Sequence, residues 1–251
     1  MGFFEWIWKI VSEYYLLFLQ GIGNTMLIAI VGTVCGFIIG LVVAVIRTIP
    51  DSRSKFVNFL MKIVKFILVA YIEVFRGTPM MIQAAVVYYG IVRGRMNLLL
   101  AALIIVSINT GAYMAEIIRG GIISIDPGQT EGAMSLGMTH TQTMIHVVLP
   151  QAIRNIMPSV GNEFVVNIKD TSVLNVIGVS ELYFQAKSAA GTYYKFFESF
   201  CIAAVIYFVL TFTTTRILKL IEKKMDGKKN YTIFGSQSDS KASIKVSEDR
   251  T

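Results

Sequence analysis

Long runs without a charged residue constrain this chain more than any other feature of its sequence. One run extends from Tyr14 to Ile46, a second from Met96 to Ala115, and a third from Ser199 to Thr215. A helix that crosses the hydrocarbon core of a bilayer needs roughly 20 predominantly apolar residues. Only 16% of the residues are charged, against about 25% in an average soluble domain. The sequence therefore predicts a polytopic membrane protein of the all-α class.

The pattern predicts five transmembrane helices that follow an N-terminal interfacial helix. Residues 1–20 mix aromatic side chains with charges spaced four apart, which is typical of an amphipathic helix at the membrane surface. Residues 21–220 hold the predicted transmembrane domain, and residues 221–251 form a charged, Ser-rich tail that is expected to be disordered. A glycine-containing break at 21–25 precedes the first span, which ends near 46. The other spans are expected at about 56–92, 97–118, 153–179 and 196–218.

The distribution of Lys and Arg predicts how the chain is oriented. Sixteen of these residues lie in 47–65, 119–154 and 216–251, against five in the segments expected on the other side. Positive charge accumulates in cytoplasmic loops. We therefore expect an external N-terminus, a cytoplasmic C-terminus and a cytoplasmic 119–150 segment. The net charge of +7 is explained by topology, so no nucleic-acid partner is predicted.

The polar segment from Asp126 to Pro150, called the 126–150 loop below, predicts two short helices. Asp126 stands at an N-cap position, Pro127 falls in the first turn, and Gln129 has the spacing of a capping-box partner. Gly137 is expected to break this first helix. Two well-capped helices in one loop of a membrane protein indicate a surface that is presented to a partner.

The second helix of the loop is expected to start at Thr139, with Gln142 as its capping partner, and to end at Leu149–Pro150. His140 and His146 lie in it six residues apart, which places them on different faces of one helix. No acidic cluster accompanies them. We therefore expect surface histidines and no metal site.

The fourth span carries the most informative polar side chains. On a helical projection Glu163, Asp170 and Asn167 share one face, and Asn162 lies beside it. Ionisable residues within a span usually face a bundle interior or an aqueous cavity and mark a solute pathway. A second interpretation stays open, in which Lys169 and Asp170 only pair with each other and Glu163 pairs elsewhere.

The second span is interrupted by Arg76-Gly77-Thr78-Pro79. Pro79 removes a backbone donor, and interrupted helices expose backbone groups that bind polar substrates. The Arg76 guanidinium could hold a carboxylate through two hydrogen bonds. In the alternative interpretation Arg76 only neutralises Glu73 or Asp170, and the proline only bends the helix.

The chain lacks the motifs of an autonomous enzyme. It contains no G-x-x-x-x-G-K-[ST] loop, no G-x-S-x-G and no H-E-x-x-H. Cys35 and Cys201 both lie inside apolar runs. We therefore predict no catalytic residue, no bound cofactor and no ATPase site of its own.

Short motifs along the chain resemble those of bacterial ABC importer permeases. Glu131-Gly132-Ala133, Gly137 and Leu149-Pro150 resemble the EAA coupling motif of that family, with Gly132 in place of an alanine. Phe75-Arg76-Gly77-Thr78-Pro79 followed by Gln83 is similar to a segment of the polar amino acid subfamily, which includes histidine, glutamine and arginine permeases. Further matches occur at 112–121, at Asn162-Glu163-Phe164 and at 169–172, so the resemblance covers about residues 20–220.

The resemblance implies a type I importer permease and a set of partners. Cytoplasmic ATPase subunits would receive the 126–150 loop and hydrolyse ATP with Mg²⁺. An external solute-binding protein would deliver a polar or charged amino acid, and a second permease, identical or different, would complete the path in a bacterial cell membrane. The expected pathway residues are Arg76, Thr78, Gln83, Asn162, Glu163, Asn167 and Asp170. The expected coupling residues are Glu131, Gly132, Ala133, Gly137, Leu149 and Pro150.

One rival function uses the same acids without an ATPase. A proton-coupled secondary amino acid transporter could employ Glu163 and Asp170 as its proton sites. It would leave the two capped helices of the 126–150 loop without a purpose. The sequence does not identify the amino acid, nor does it distinguish a homodimer from a heterodimer.

Overall fold

Nine α-helices account for most of the residues that the computed structural model describes, which are 2–50, 52, 54–225, 232–234 and 243–245. Two π-helical segments, Val86–Ile91 and Met144–Val148, and a 3₁₀ segment, Thr171–Ile177, continue three of them. Two short antiparallel strands are β1 (Thr232–Phe234) and β2 (Ser243–Lys245). The helices are α1 (Phe3–Thr48), α2 (Lys55–Gly77), α3 (Met80–Ala85), α4 (Leu98–Ile123), α5 (Pro127–Ser135), α6 (His140–Thr143), α7 (Leu149–Asp170), α8 (Leu182–Tyr193) and α9 (Phe196–Met225).

The first 48 residues form one helix where the sequence predicts two elements. α1 has 46 residues, which corresponds to about 69 Å at 1.5 Å per residue. The expected break at 21–25 is absent because its small residues serve helix packing instead. A Cβ at Gly21 would lie 2.9 Å from the Leu182 Cα, and the Thr25 hydroxyl accepts the Leu182 backbone N–H at 3.2 Å. The separate interfacial helix at 1–20 is therefore replaced by the first half of α1.

Three glycines spaced four apart bring α1 and α4 into close contact. Gly32, Gly36 and Gly40 face Val106, Thr110 and Met114, which are also spaced four apart. A Cβ at Gly36 would lie 2.7 Å from the Thr110 Cβ, and one at Gly40 would lie 2.5 Å from the Met114 Cβ. Small residues at this spacing let membrane helices approach closely, where packing rather than hydrophobicity drives association. The α1–α4 pair is therefore the centre of the fold.

Within the described residues, three helices are long and apolar enough to cross a membrane, namely α1, α4 and α9. The other two predicted spans correspond to α2 with α3, and to α7 with its 3₁₀ extension. α2 is interrupted after Gly77, as the sequence predicts, and α7 is rich in polar side chains. The count of five spans stays a prediction.

The segment between the last two spans, expected as a polar connection, is the helix α8. Its N-cap is Glu181, which is fully buried and accepts hydrogen bonds from the backbone N–H of Phe184 (2.7 Å) and the hydroxyl of Tyr207 (2.8 Å). At the other end the Tyr193 hydroxyl donates to Glu13, and this hydrogen bond raises the pKa of Tyr193 to about 12. α8 therefore joins the N-terminal half of α1 to α9.

The C-terminal tail begins later than the sequence predicts. α9 continues to Met225, past the expected boundary at 221, and residues 232–234 and 243–245 form the two strands. The expected disorder of 226–231, 235–242 and 246–251 lies outside the described residues.

Candidate functional site

The interruption between α2 and α3 is held by one buried glutamine. Pro79 has no N–H, so carbonyl groups at the end of α2 lack helical partners. The Gln83 Nε2 donates to the carbonyl oxygens of Phe75 and Thr78, each at 2.9 Å, and to the Thr78 hydroxyl at 2.9 Å. The Asn109 Nδ2 from α4 donates to the Gln83 Oε1 at 2.8 Å. The broken helix is thereby tied to α4 by a polar network.

This network gives Gln83 and Thr78 a structural task at the predicted path. Gln83 is 8% exposed, and its amide is engaged on both sides. Its predicted contact with substrate stays a prediction. Asn109 was not among the predicted site residues, although a buried amide within an apolar span is the signal that would have singled it out.

Arg76 lies on the exposed side of the same interruption. Its guanidinium carbon is 5.5 Å from the ring centroid of Tyr113 in α4, which is a cation–π contact. Within the part of the chain that the structure describes, no carboxylate lies within 4.0 Å of this guanidinium to form an ion pair. The ion pair with Glu73 or Asp170 that would neutralise Arg76 is therefore not formed among the described residues.

Glu163 lies in the second half of α7 and is half-buried. Electrostatic interactions link it with Asp170, two turns further along the same helix, and with Arg76 from α2. Lys169 acts electrostatically on Asp170, but no salt bridge within 4.0 Å joins the two among the described residues. Electrostatic interactions thus link Glu163 both with a second acid on its own helix and with a guanidinium from α2.

Asn167 and Asn162 make contacts away from these charged residues. Asn167 is 3% exposed, and its Nδ2 donates to the Thr33 hydroxyl at 2.9 Å while its Oδ1 accepts the Thr110 hydroxyl at 3.1 Å. It therefore ties α7 to both α1 and α4. Asn162 is exposed and lines a cavity of about 250 Å³ between α7 and α9, together with Lys219.

The first helix of the 126–150 loop forms as predicted, but its cap differs in one respect. The Asp126 carboxylate accepts the backbone N–H of Gly128 at 2.7 Å, and Pro127 occupies the first turn. Gln129 does not close a capping box, because its side chain instead accepts a hydrogen bond from the Gln151 amide of α7 at 3.3 Å. The loop is therefore connected to α7 by a side-chain contact.

Gly137 ends the first helix, and Thr139 caps the second, as predicted. Gly137 has a φ of +86°, a left-handed conformation that favours glycine. The Gln142 backbone N–H donates to the Thr139 hydroxyl at 3.3 Å, and the Thr139 backbone N–H donates to the Gln142 side chain at 2.8 Å. This is the expected capping box.

The prediction that the second helix ends at Leu149–Pro150 is wrong. The π-helical segment Met144–Val148 leads directly into α7, which begins at Leu149. Pro150 is the second residue of α7, and its missing N–H removes one backbone hydrogen bond at the junction with the π-helical turn without ending the helix. The second helix of the loop and the acid-bearing helix α7 consequently form one continuous helical segment.

The residues of the coupling motif differ in exposure. Glu131 and Gly132 are exposed, whereas Ala133 is buried. Large apolar side chains around them are open to solvent, including Leu136 at 86% exposure and Met134 at 51%. An apolar surface of this kind on a polar loop is typical of a protein–protein contact.

Comparison with known proteins identifies what the chain is similar to. A family model described as the binding-protein-dependent transport system inner membrane component matches residues 36–227. The glutamine transport system permease protein of Escherichia coli (strain K12) is 33% identical over 228 residues, which are 88% of this chain and 98% of that protein. The arginine transport system permease protein of Bacillus subtilis (strain 168) is 35% identical over 210 residues, covering 82% of this chain and 91% of that protein.

Two solved structures share the fold. The crystal structure of an amino acid ABC transporter with histidines superposes with a TM-score of 0.76 at 38% identity, covering 89% of this chain and 99% of that one. An inward-facing methionine ABC transporter superposes with a TM-score of 0.70 at 18% identity, covering 85% of this chain and 98% of that one. At 18% identity the likeness concerns the fold alone.

Proposed function

Because this chain belongs to the family of binding-protein-dependent transport system inner membrane components, we propose that it forms the solute path of an ATP-driven importer for a polar or charged amino acid. The fold expected from the motifs, an all-α type I importer permease, is confirmed by the likeness to the amino acid ABC transporter. The relatives named for glutamine and arginine transport support an amino acid as the substrate class.

The electrostatic interaction of Glu163 with Arg76, and that of Glu163 with Asp170, carry the assignment of the substrate class. An amino acid has a carboxylate and an ammonium group on the same carbon atom, so it requires opposite charges a short distance apart. The Arg76 guanidinium stands at the broken helix without a carboxylate partner within 4.0 Å among the described residues. Glu163 and Asp170 supply the negative charge from α7, and electrostatic interactions link Glu163 with Arg76. Arg76 binds the substrate carboxylate, and the two acids bind its ammonium group or a basic side chain.

The 126–150 loop transmits the work of separate ATPase subunits. Its exposed surface around Glu131, Gly132 and Leu136 docks on the ATPase, which binds ATP and Mg²⁺ and performs the hydrolysis. Helix α7 follows the second helix of the loop without a break and carries Glu163, and the first helix contacts α7 through the hydrogen bond from Gln151 to Gln129. A displacement of the loop therefore moves one wall of the path, which is alternating access.

The remaining parts of the proposal concern the assembly and the orientation. The N-terminus is external, the 126–150 loop and the C-terminus are cytoplasmic, and a second permease completes the path in the cell membrane. An external binding protein delivers the substrate. The proton-coupled alternative loses its support, because the family to which the chain belongs depends on a binding protein.

Uptake by paired variants tests this function. Glu163→Gln together with Asp170→Asn is expected to abolish or strongly weaken amino acid uptake in proteoliposomes that contain the ATPase and binding protein. The ATPase should still copurify, because the 126–150 loop is unchanged. Glu198→Gln is the matched control, since Glu198 pairs with Lys195 at the start of α9, away from the path. Unchanged uptake by the double variant would refute the assignment of the acids.

A second arm separates the two energy sources. Uptake should stop when the ATPase is omitted and persist when an uncoupler collapses the proton gradient. Uptake that persists without the ATPase would favour the proton-coupled alternative.

A further inference from the structure

A basic pocket lies between the 126–150 loop and the ends of α1 and α4. Its volume is about 370 Å³, which falls within the range of about 300–1,000 Å³ typical of small-ligand sites. Three side chains that can carry positive charge line it, and each comes from a different helix. They are Arg47 of α1, Arg119 of α4 and His140 of α6. Threonine hydroxyls and an apolar wall of Ile, Met and Val side chains complete the lining.

The two arginines are held in place by one carboxylate. Glu116 accepts from the Arg119 Nη2 at 3.1 Å and also forms an ion pair with Arg47. One negative charge between two guanidinium groups leaves the cluster with a net positive charge. Each guanidinium offers five N–H donors, which is more than one shared carboxylate can accept from both. The cluster is therefore fixed in geometry and still able to bind an anion.

A buried hydroxyl in the same pocket has no hydrogen-bond partner among the described residues. Thr143 lines the pocket and is 1% exposed. Its Oγ1 has no hydrogen-bond partner within the part of the chain that the structure describes. Buried polar groups are normally hydrogen-bonded, and an exception requires an explanation such as an absent ligand. Rotation of the Thr143 side chain would turn this hydroxyl toward an oxyanion that is held by the arginine donors.

We propose that this pocket binds a phosphoryl group, carried by either an anionic phospholipid headgroup or a soluble phosphate. Guanidinium groups match phosphate oxygens through paired hydrogen bonds. Basic pockets between membrane helices on the cytoplasmic side bind anionic headgroups, and the apolar wall suits the adjoining part of a lipid. The bound group joins α1, α4 and the 126–150 loop at one point. It therefore supports the position of the loop without taking part in the solute path.

Titration of the purified full-length chain, in neutral detergent with its copurifying subunits, tests this site. Three probes are compared by calorimetry: short-chain phosphatidylglycerol, short-chain phosphatidylcholine and sodium phosphate. One saturable event per chain with phosphatidylglycerol but not with sodium phosphate identifies a headgroup site. Saturable binding of sodium phosphate identifies a site for the soluble anion. Binding of neither, or equal binding of phosphatidylcholine and phosphatidylglycerol, would overturn the proposal.

Three variants distinguish a defined binding site from non-specific electrostatic attraction. Arg119→Gln should weaken binding by about tenfold or more, because it removes a charge-assisted contact. Thr143→Val keeps the shape of the side chain and removes the unpartnered hydroxyl. It should weaken binding while raising the unfolding temperature of the ligand-free protein, so the loss cannot be attributed to misfolding. Arg154→Gln makes the same charge change at an exposed position of α7 outside the pocket lining and should leave binding unchanged. Equal effects of Arg119→Gln and Arg154→Gln, or unchanged binding by Thr143→Val, would contradict the site.

Discussion

Gln83 shows how one side chain can make a broken membrane helix tolerable. Backbone carbonyl groups without a partner are costly in an apolar environment, about 1–3 kcal/mol each. The Gln83 amide satisfies the carbonyl groups of Phe75 and Thr78 while it accepts from Asn109. The polar network thus stabilises the interruption that exposes Arg76.

Gln83→Leu should destabilise the protein, because it keeps the volume and removes every one of these hydrogen bonds. We expect the free energy of unfolding to fall by about 1–3 kcal/mol, because the Thr78 carbonyl loses its donor while the Phe75 carbonyl still accepts from the Asn109 Nδ2 at 3.4 Å. The measurement is the midpoint of thermal or denaturant unfolding of the detergent-solubilised protein. Gln20→Leu, at an exposed position of α1, is the matched control and should have little effect. Equal midpoints for the two variants would show that the network contributes nothing.

Arg76 permits a comparison of charge with geometry. Arg76→Lys keeps the positive charge but loses the planar fork that binds a carboxylate through two hydrogen bonds and that stacks over Tyr113. We expect uptake to fall by about tenfold in Arg76→Lys and further in Arg76→Gln. The readout is the apparent KM for substrate-loaded binding protein alongside kcat in proteoliposomes. Full activity of Arg76→Lys would indicate that only the charge is needed.

The close contact of α1 with α4 depends on the small residues along the facing side of α1. Gly40→Ala would place a Cβ 2.5 Å from the Met114 Cβ and 2.7 Å from the Ala115 backbone nitrogen, and the backbone cannot yield at little cost. Overpacking of this kind costs about 1–3 kcal/mol. We expect a lower unfolding midpoint and less folded protein after extraction.

Gly23→Ala is the control for that substitution. It lies in the same helix, and an added Cβ there would meet no atom within 4 Å. Because alanine is a better helix former than glycine by about 1 kcal/mol, this variant should be neutral or slightly stabilising. Destabilisation by both variants to the same degree would refute the close-contact explanation.

Gly132 allows a prediction about the helix that docks on the partner. It is exposed in α5, and an added Cβ would meet no atom within 4 Å. Gly132→Ala should therefore stabilise α5 by up to about 1 kcal/mol. ATPase copurification should be retained or improved, and slower hydrogen exchange in 127–135 is the measurement. Faster exchange would show that the glycine is required for the conformation of α5.

Elements with local signals could be predicted, and elements decided by distant contacts could not. Thr139 with Gln142 and the left-handed Gly137 depend on residues within one turn, so their positions follow from spacing alone. Gly21 looks like a break in the sequence because nothing nearby reveals that Leu182 packs against it. The continuation through Pro150 was missed because a proline usually marks the end of the preceding helix, and only the structure shows the π-helical turn that leads into α7.

At the scale of the whole molecule, the candidate path and the 126–150 loop are connected through α7. The acids of the path were predicted because ionisable side chains in a span are exceptional. The different task of Asn167 was not, because its partners Thr33 and Thr110 come from α1 and α4 and are distant in sequence. The pathway role of the charges could therefore be proposed from sequence and stays a prediction, whereas the polar side chains that join helices required the three-dimensional packing.

The orientation of the molecule can be tested at two highly exposed positions. Leu136, 86% exposed, lies in the 126–150 loop, and Tyr194, 84% exposed, lies at the end of α8. If α7 and its 3₁₀ extension cross the membrane, these positions lie on opposite sides. The positive-inside distribution places Leu136 in the cytoplasm and Tyr194 outside.

Single cysteines introduced at these positions should report the two sides, in a background where Cys35 and Cys201 are replaced by alanine. A membrane-impermeant maleimide should label Tyr194→Cys in intact spheroplasts and Leu136→Cys only after permeabilisation. Labelling of Leu136→Cys should also decrease when the ATPase is coexpressed, because the docked subunit covers the loop. Labelling of both cysteines from outside would mean that α7 does not cross. In that case the loop and the external end of α7 would lie on the same side of the membrane. The loop could then not couple a cytoplasmic ATPase to uptake from outside, and the mechanism proposed for α7 would be wrong.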